Sequence, residues 1–489
     1  MNHFLLLLIL FAPLLAAVGI AMGAPERKTA VWSGWVQIAL ALVLMVQLPS
    51  GGYAYVTEVP VFTLPEFFDI NFIIGMDGIN APLVLLTALV ACAAAAVVPA
   101  SIQRSKEFHV MLMLIVFGAT GAFISLDLFF LYIFHEVALI PTFLMIGIWG
   151  SRDRKFAATQ MAIYLTLGSL VLLVGLLCLY FAFPPSLRSL DIRALQEALV
   201  QIGRPMDSGY QAGVLLFLLV GFGILVSLFP FHSWAPLGYA SAPAPVAMLH
   251  AGVLKKFGLY GLLRLATPML PVGIEQWSIV IQLLLLGNIL WIGWVTLAQR
   301  DLDMMVGYSS VMHMGYLFLG FLSVSVIGTA GMLVLMVGHG LSAALLFATT
   351  AEIRERTGTV SFARLGGLAK KAPRLSLFFI LGGLASIGLP GFANFAGEVL
   401  IFFGAWSHYP VATGVALFGV ILSAVYMLRA VRSVCFGEVS EDVAQIHDLR
   451  PGVERWPYIL LLTGLLCFGI FPGWIINMAR PVIEAMIGG

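Results

Sequence analysis

The sequence predicts an all-α polytopic membrane protein of about fourteen transmembrane helices, built as two inverted five-helix repeats with broken seventh and twelfth spans. Three observations carry this. Of 489 residues, 61% are hydrophobic and only 10% charged, with a mean hydropathy of +1.02, too little polar side chain to coat a soluble globule. Apolar runs of roughly 20 residues, the length a helix needs to cross the hydrocarbon core, recur along the whole chain. Lys and Arg sort to alternate connections between those runs.

In chain order the apolar windows lie near 3–22, 30–48, 78–100, 108–125, 127–149, 156–183, 209–229, 242–265, 273–298, 302–324, 326–350, 373–407, 409–434 and 455–478. The first has no Lys or Arg ahead of its apolar run, so it reads as a retained span rather than a signal peptide. The connection 49–77 contains Tyr53, Tyr55, Val56 and Val61 with only acidic charge, which suits an extended segment on the outer face. In 184–208, Leu190, Ile192, Leu195, Leu199 and Ile202 recur near helical spacing, the pattern of an interfacial amphipathic helix. Pro230 ends the seventh span in LVSLFPFHSWAP, and Pro390-Gly391 interrupts the twelfth in ASIGLPGFANFAGE. Each break frees backbone groups that protein or water must satisfy. The breaks are five spans apart, and an odd number inverts the topology. The repeats therefore fall at 108–265 and 273–435, flanked by an N-terminal unit, 1–107, and a C-terminal helix, 455–489.

With the N terminus placed outside, the inner connections hold Arg27, Lys28, Arg104, Lys106, Arg152, Arg154, Lys155, Arg300, Arg354, Arg356, Arg364, Lys370, Lys371, Arg374, Arg429, Arg432, Arg450 and Arg455. The outer ones hold Arg188, Arg193, Arg204, Arg264 and Arg480. This bias puts both termini on the outer side. The net charge of +1 gives no reason to expect a nucleic-acid partner. Cys92, Cys178, Cys435 and Cys467 are scattered without metal or redox spacing and read as apolar fillers.

The remaining two basic residues, Lys255 and Lys256 in AGVLKKFGLYGLLR, lie inside a span, as do Glu136 in LYIFHEVALIPTFLMIGIW and Glu398 in LPGFANFAGEVLIFFGAW. An ionised side chain at a helix centre costs about 2.5–3.5 kcal/mol even on insertion scales, so such residues face a protein interior or a hydrated cavity. Proton transfer is the function they suggest; a structural carboxylate and a snorkelling lysine are the plainer readings. Adjacent lysines project about 100° apart on a helix, so both do not meet one line of partners. HEVAL lacks the second histidine of a HExxH zinc site, because position 139 is Leu. His313 in YSSVMHMGY, His339 in MVGHGLSAALLF and His250 add groups that exchange protons near neutrality or, more plainly, bond across helix interfaces. Gly221-Phe-Gly223 lacks the context of a nucleotide fingerprint.

The stretches FHEVALIPTFLMIGIWG, PFHSWAP, AGVLKKFGLYGLLR, GYSSVMHMGY, GHGLSAALLF and GLPGFANFAGEVLIFFG together resemble the antiporter-like, proton-translocating membrane subunits of respiratory complex I, of the subunit M or chain 4 type. The resemblance implies a fourteen-helix fold in a bacterial inner membrane beside L-like and N-like subunits. It implies no cofactor in this chain, with NADH, FMN, iron–sulfur clusters and quinone in partner subunits. By motif, Glu136 matches the fifth-span glutamate, Lys256 the central lysine, Glu398 the twelfth-span residue at the outer exit, and His313 and His339 the positions connecting them. Related subunits of cation/proton antiporters and membrane hydrogenases share parts of the pattern.

The chain departs from that pattern. The family's seventh-span lysine falls, by counting back from Pro230-Phe231-His232-Ser233-Trp234, at Leu225, and 209–229 contains no lysine. The stretch Pro236-Leu237-Gly238-Tyr239 is altered, and Asp303 replaces the basic residue expected after Asp301. The usual glutamate–lysine pair at the intake therefore cannot form, and Lys255 or His250 becomes a candidate source of the missing charge. Besides a proton-translocating subunit of a complex I-type enzyme, the homologous subunit of a cation/proton antiporter or membrane hydrogenase complex, a paralogue that no longer pumps and a scaffold for neighbouring subunits remain open.

Overall fold

The computed structural model describes residues 2–64, 68–202 and 206–488, so Arg204 lies outside the described residues. Helices α1 (Asn2–Ala21) and α2 (Glu26–Val46) lead into an antiparallel hairpin, β1 (Ala54–Leu64) and β2 (Phe68–Met76), with Ala54 opposite Met76. The extended segment expected over 49–77 is this hairpin. Then come α3 (Asn80–Ala96), α4 (Ser105–Ile124), α5 (Leu128–Trp149), α6 (Arg154–Phe181) and the short amphipathic α7 (Ile192–Ile202), which buries Ile192 and Leu195 of the expected apolar face together with Ala198 and leaves Leu199 and Ile202 half-buried. The seventh span is α8 (Ser208–Val226), followed past its break by α9 (Trp234–Ser241).

The eighth span is not one regular helix. It runs as α10 (Ala244–Leu249), a π-helical turn (His250–Leu254) and α11 (Lys256–Met269). The ninth is likewise interrupted, as α12 (Pro271–Leu286), a π turn (Gly287–Trp291) and α13 (Ile292–Ala298). Helices α14 (Leu302–Leu322) and α15 (Val326–Thr357) follow, then α16 (Leu368–Lys371). The twelfth span is two pieces, α17 (Pro373–Ser386) and α18 (Ala393–Trp406), as its proline and glycine predicted. After α19 (Pro410–Cys435) and α20 (Glu441–Ala444), the last apolar window divides into α21 (Trp456–Ile470) and α22 (Gly473–Gly488), bent by 65°. Among the described residues eleven helices are long and apolar enough to cross a membrane, or twelve if that bent pair is one span; α3, α17 and α18 are shorter apolar helices.

The chain is a multi-pass membrane protein whose outer helices turn apolar side chains outward. Ile163, Leu167, Leu170 and Val174 form an exposed stripe along α6, and Phe418, Ile421, Val425 and Leu428 another along α19. Side chains as apolar as lipid gain nothing by burial there. The centre is α3, α10–α11, α14 and α15, which are buried along nearly their whole length. Arg264 is not a connection residue as expected. It is buried in α11 and ion-paired with Asp77, whose carboxylate also accepts the N–H groups of Ile79 and Asn80 at the start of α3. Elsewhere, Arg152 pairs with Asp301 (2.9 Å) and Asp303 (3.3 Å), and Arg354 with Asp303 (2.9 Å). The acidic residue at position 303 thus clamps two arginines, Arg152 from the connection between α5 and α6 and Arg354 from α15.

Candidate functional site

The π turn is what sets the lysines. Its wide winding closes with Lys255 N–H donating to His250 O at 3.1 Å, five residues back, and single π turns of this kind cluster at functional sites. The turn packs backbone to backbone on α15 through two glycines: a Cβ on Gly252 would sit 2.9 Å from Gly340 O, and one on Gly340 2.6 Å from Gly252 O. Glycine at both positions permits that approach, and the approach brings Lys256 to His339 one residue away.

Lys255 and Lys256 are both fully buried, so neither snorkels. Lys256 Nζ lies 2.7 Å from His339 Nδ1 and donates to Ala251 O at 2.6 Å, inside its own π turn. Lys255 points elsewhere, as the 100° separation predicted. Its ammonium donates to Ser310 O (3.2 Å) and Ser310 Oγ (3.4 Å) on α14 and stands 5.3 Å from the Tyr239 ring. Each cation is thus bonded to oxygen or nitrogen, as a buried charge requires.

From His339 the line continues to His313, with ring centroids 5.6 Å apart. His313 Nδ1 meets Ser309 O at 2.7 Å and Nε2 meets Ser386 O at 2.9 Å. Carbonyl oxygens only accept, so both bonds are made together only when the ring carries a proton on each nitrogen. The pocket is therefore shaped for imidazolium. Ser386 is the last residue of α17, so this bond delivers the line to the break in the twelfth span. There Glu398, 5% exposed, presses on Gly388: a Cβ at that glycine would lie 2.5 Å from Glu398 Oε2. Tyr316 and Tyr426 are within electrostatic reach of that carboxyl, and Tyr426 shares a 2.9 Å bond with Ser309, the residue that holds His313.

The surroundings of Glu136 are looser. Glu136, in the middle of α5, keeps 28% of its side chain exposed, and its neighbour is His135, with Nδ1 3.4 Å from Oε1. Leu225 is a buried apolar side chain in α8, as its identity predicted. His250 packs against the rings of Trp234 and Tyr239 at 5.3 and 5.5 Å, and neither of its ring nitrogens has a protein partner. The structure thus gathers Lys255, Lys256, His313 and His339, sets Glu398 against the break that His313 reaches, and leaves the side chains of Glu136 and His250 without a hydrogen bond to that set.

Sequence reasoning missed Asn288, Tyr239, Ser310 and the π turn. Asn288 was visible as an amide within the apolar run LLLLGNILW, whereas the shorter of the two Lys255 bonds to Ser310 goes to its backbone carbonyl, which no residue identity announces.

Residues 125–424 match the family model described as NADH:quinone oxidoreductase/Mrp antiporter, TM. The chain belongs to this family. It is 31% identical to NAD(P)H-quinone oxidoreductase chain 4 of Gloeobacter violaceus, over 98% of this chain and 92% of that one. It is 30% identical to NADH-quinone oxidoreductase subunit M of Rickettsia felis, over 98% and 97%. A chain in the structure of respiratory complex I from Thermus thermophilus with bound NADH superposes with a TM-score of 0.90 at 29% identity, covering 99% of each.

Proposed function

We propose that this chain is a proton-translocating, M-type subunit of a complex I-type NADH:quinone oxidoreductase, seated in a membrane arm beside L-like and N-like subunits. The observation that carries the reading is the line from Lys256 to His339 at 2.7 Å, on to His313 with ring centroids 5.6 Å apart, and from there to the carbonyl of Ser386 at the twelfth-span break at 2.9 Å. Lys256 and His339 share a proton across 2.7 Å, His313 takes it up in a pocket shaped for imidazolium, and Glu398 passes it outward. Glu136 governs supply from the inner side, and Lys255 biases Lys256 by like charge from the adjacent position.

The repeats at 108–265 and 273–435 then work as two half-channels meeting at Lys256. The positive-inside bias supports both termini on the outer side of a bacterial inner membrane. NADH, FMN, iron–sulfur clusters and quinone belong to partner subunits, and the work of electron transfer reaches this chain through them.

A second reading has its own observation: α8 places the buried, apolar Leu225 where the resemblance implies a lysine. On that reading the chain transmits conformational change without moving protons. The assembled complex in proteoliposomes separates the two. Lys256→Ala is expected to lower proton flow through this subunit about 10²-fold or more, read as fewer protons moved per electron pair. An unchanged ratio in an assembled Lys256→Ala complex removes Lys256 from the mechanism and leaves the non-pumping reading standing.

A further inference from the structure

His135 and His250 are 3% and 1% exposed, and all four of their ring nitrogens lack a hydrogen-bond partner in the protein. An unmade hydrogen bond on a buried group costs about 1–3 kcal/mol, so buried polar atoms are normally satisfied, and ordered water is what satisfies those the protein does not. The two rings are placed in sequence between Glu136 and the lysines. The His135 ring lies flat on Phe257, 4.9 Å away at 16°, and Phe257 follows Lys256 directly. Its Nδ1 is 3.4 Å from Glu136 Oε1. His250 sits one π turn below Lys255 and feels the fields of Lys255, His135 and Lys256. The ring of Tyr239 lies against both His250 and the Lys255 ammonium, and its buried hydroxyl is also unpaired.

We propose that His135 carries the proton between Glu136 and the lysine pair, handing it to His250 through ordered water that bonds the unpaired nitrogens of both rings and the Tyr239 hydroxyl. This rests on the proton-translocating reading and supplies the intake that Leu225 cannot. The transfer balances as follows. Protonated Glu136 gives its proton to His135 Nδ1 and becomes carboxylate, and the imidazolium so formed makes a half-turn about χ2 and releases that same Nδ1 proton to water. The ring is then neutral again and keeps its Nε2 proton throughout. It turns back, and Glu136 is reprotonated from its exposed side. The charged groups facing the two rings are Glu136, Lys255 and Lys256; the proton reaches the pair once Lys256 has given its own to His339 and stands as a neutral amine, and the positive charge restored by its arrival keeps a second proton from following.

The test uses the whole complex in proteoliposomes. His135→Phe keeps the stack and cannot carry a proton; His135→Gln keeps hydrogen bonding and cannot titrate. Both are expected to lower protons per electron pair to the level of Lys256→Ala. If His135→Phe fails to assemble, His135→Gln alone decides. A wild-type ratio in either His135 variant, with the ratio lowered in Lys256→Ala, overturns the His135 route while leaving the pump intact. Wild-type ratios in all three overturn the pump itself.

Discussion

The two breaks in the spans, residues 227–233 and 387–392, begin from the same chemistry and end differently. At the first, Ser227 turns with φ 61° and the freed groups are taken by one neutral amide: Asn288 accepts from Phe229 N–H at 2.6 Å and donates to Ser227 O at 3.2 Å and Val311 O at 2.8 Å. At the second, Gly388 (φ 80°) and Gly391 (φ 100°) make the turn, and the groups that meet it are His313 on the Ser386 carbonyl and Glu398 against Gly388. Both devices meet the demand that a broken helix places on its surroundings. An amide closes a break permanently, whereas groups that gain and lose protons make a break a station on a path. His232 aside, which stacks on Phe229 inside the first break (5.7 Å), the first half of the chain carries its titratable groups elsewhere, on α5 and on the π turn.

Glu398→Gln tests that contrast most severely. The substitution keeps shape and removes titration, so the complex is expected to assemble and melt normally while proton flow through this subunit falls about 10²-fold or more. Proton-to-electron ratios in proteoliposomes, with a thermal melt of the same preparation, measure both. A normal ratio would place the exit outside Glu398 and make the second break as inert as the first.

The converse substitution at the first break acts on stability. Asn288→Asp deletes both donated bonds and turns a carboxylate on two buried carbonyl oxygens. The expected cost is about 2–5 kcal/mol, comparable to breaking a buried polar pair. It appears as a lower melting temperature and less assembled complex, with the surviving complexes moving protons at the normal ratio. A stable Asn288→Asp complex with altered coupling would show that the first break is also a station.

What the sequence made legible follows the same division. The breaks at Pro230 and Pro390-Gly391 were readable because proline has no N–H to give a helix, and Glu136, Lys256 and Glu398 because an ionisable group in an apolar run is costly wherever it stands. His313 and His339 were readable as candidates, but not the bond to Ser386 O, which depends on a backbone carbonyl of a distant helix. The π turn at 250–254 has no composition of its own; it arises where Gly252 meets Gly340, and nothing local announces that contact. His135 was in plain view and served only to exclude zinc. Arg264 was misplaced because its partner, Asp77, is remote in sequence.

The smallest expected effect lies where neither break is involved, in the exposed pair of Arg364 and Asp442 on the polar surface. Arg364 donates from Nε to Oδ2 at 2.9 Å and from Nη2 to Oδ1 at 2.8 Å, and this bidentate bond holds the Asp442 carboxyl below its ordinary range. A carboxylate whose folded value is depressed contributes stability that is present above the ordinary aspartate range and lost as pH falls through the lowered folded value. Water and salt screen an exposed pair, so the contribution is slight. Asp442→Asn is therefore expected to lower the melting temperature marginally at neutral pH and low salt, with the difference from wild type closing in acid and at high salt, and with proton translocation unchanged. A difference that persisted at strongly acid pH would mean that Asp442 acts through its packing rather than its charge. A changed proton ratio would extend the path onto a surface where the two breaks give it no reason to run.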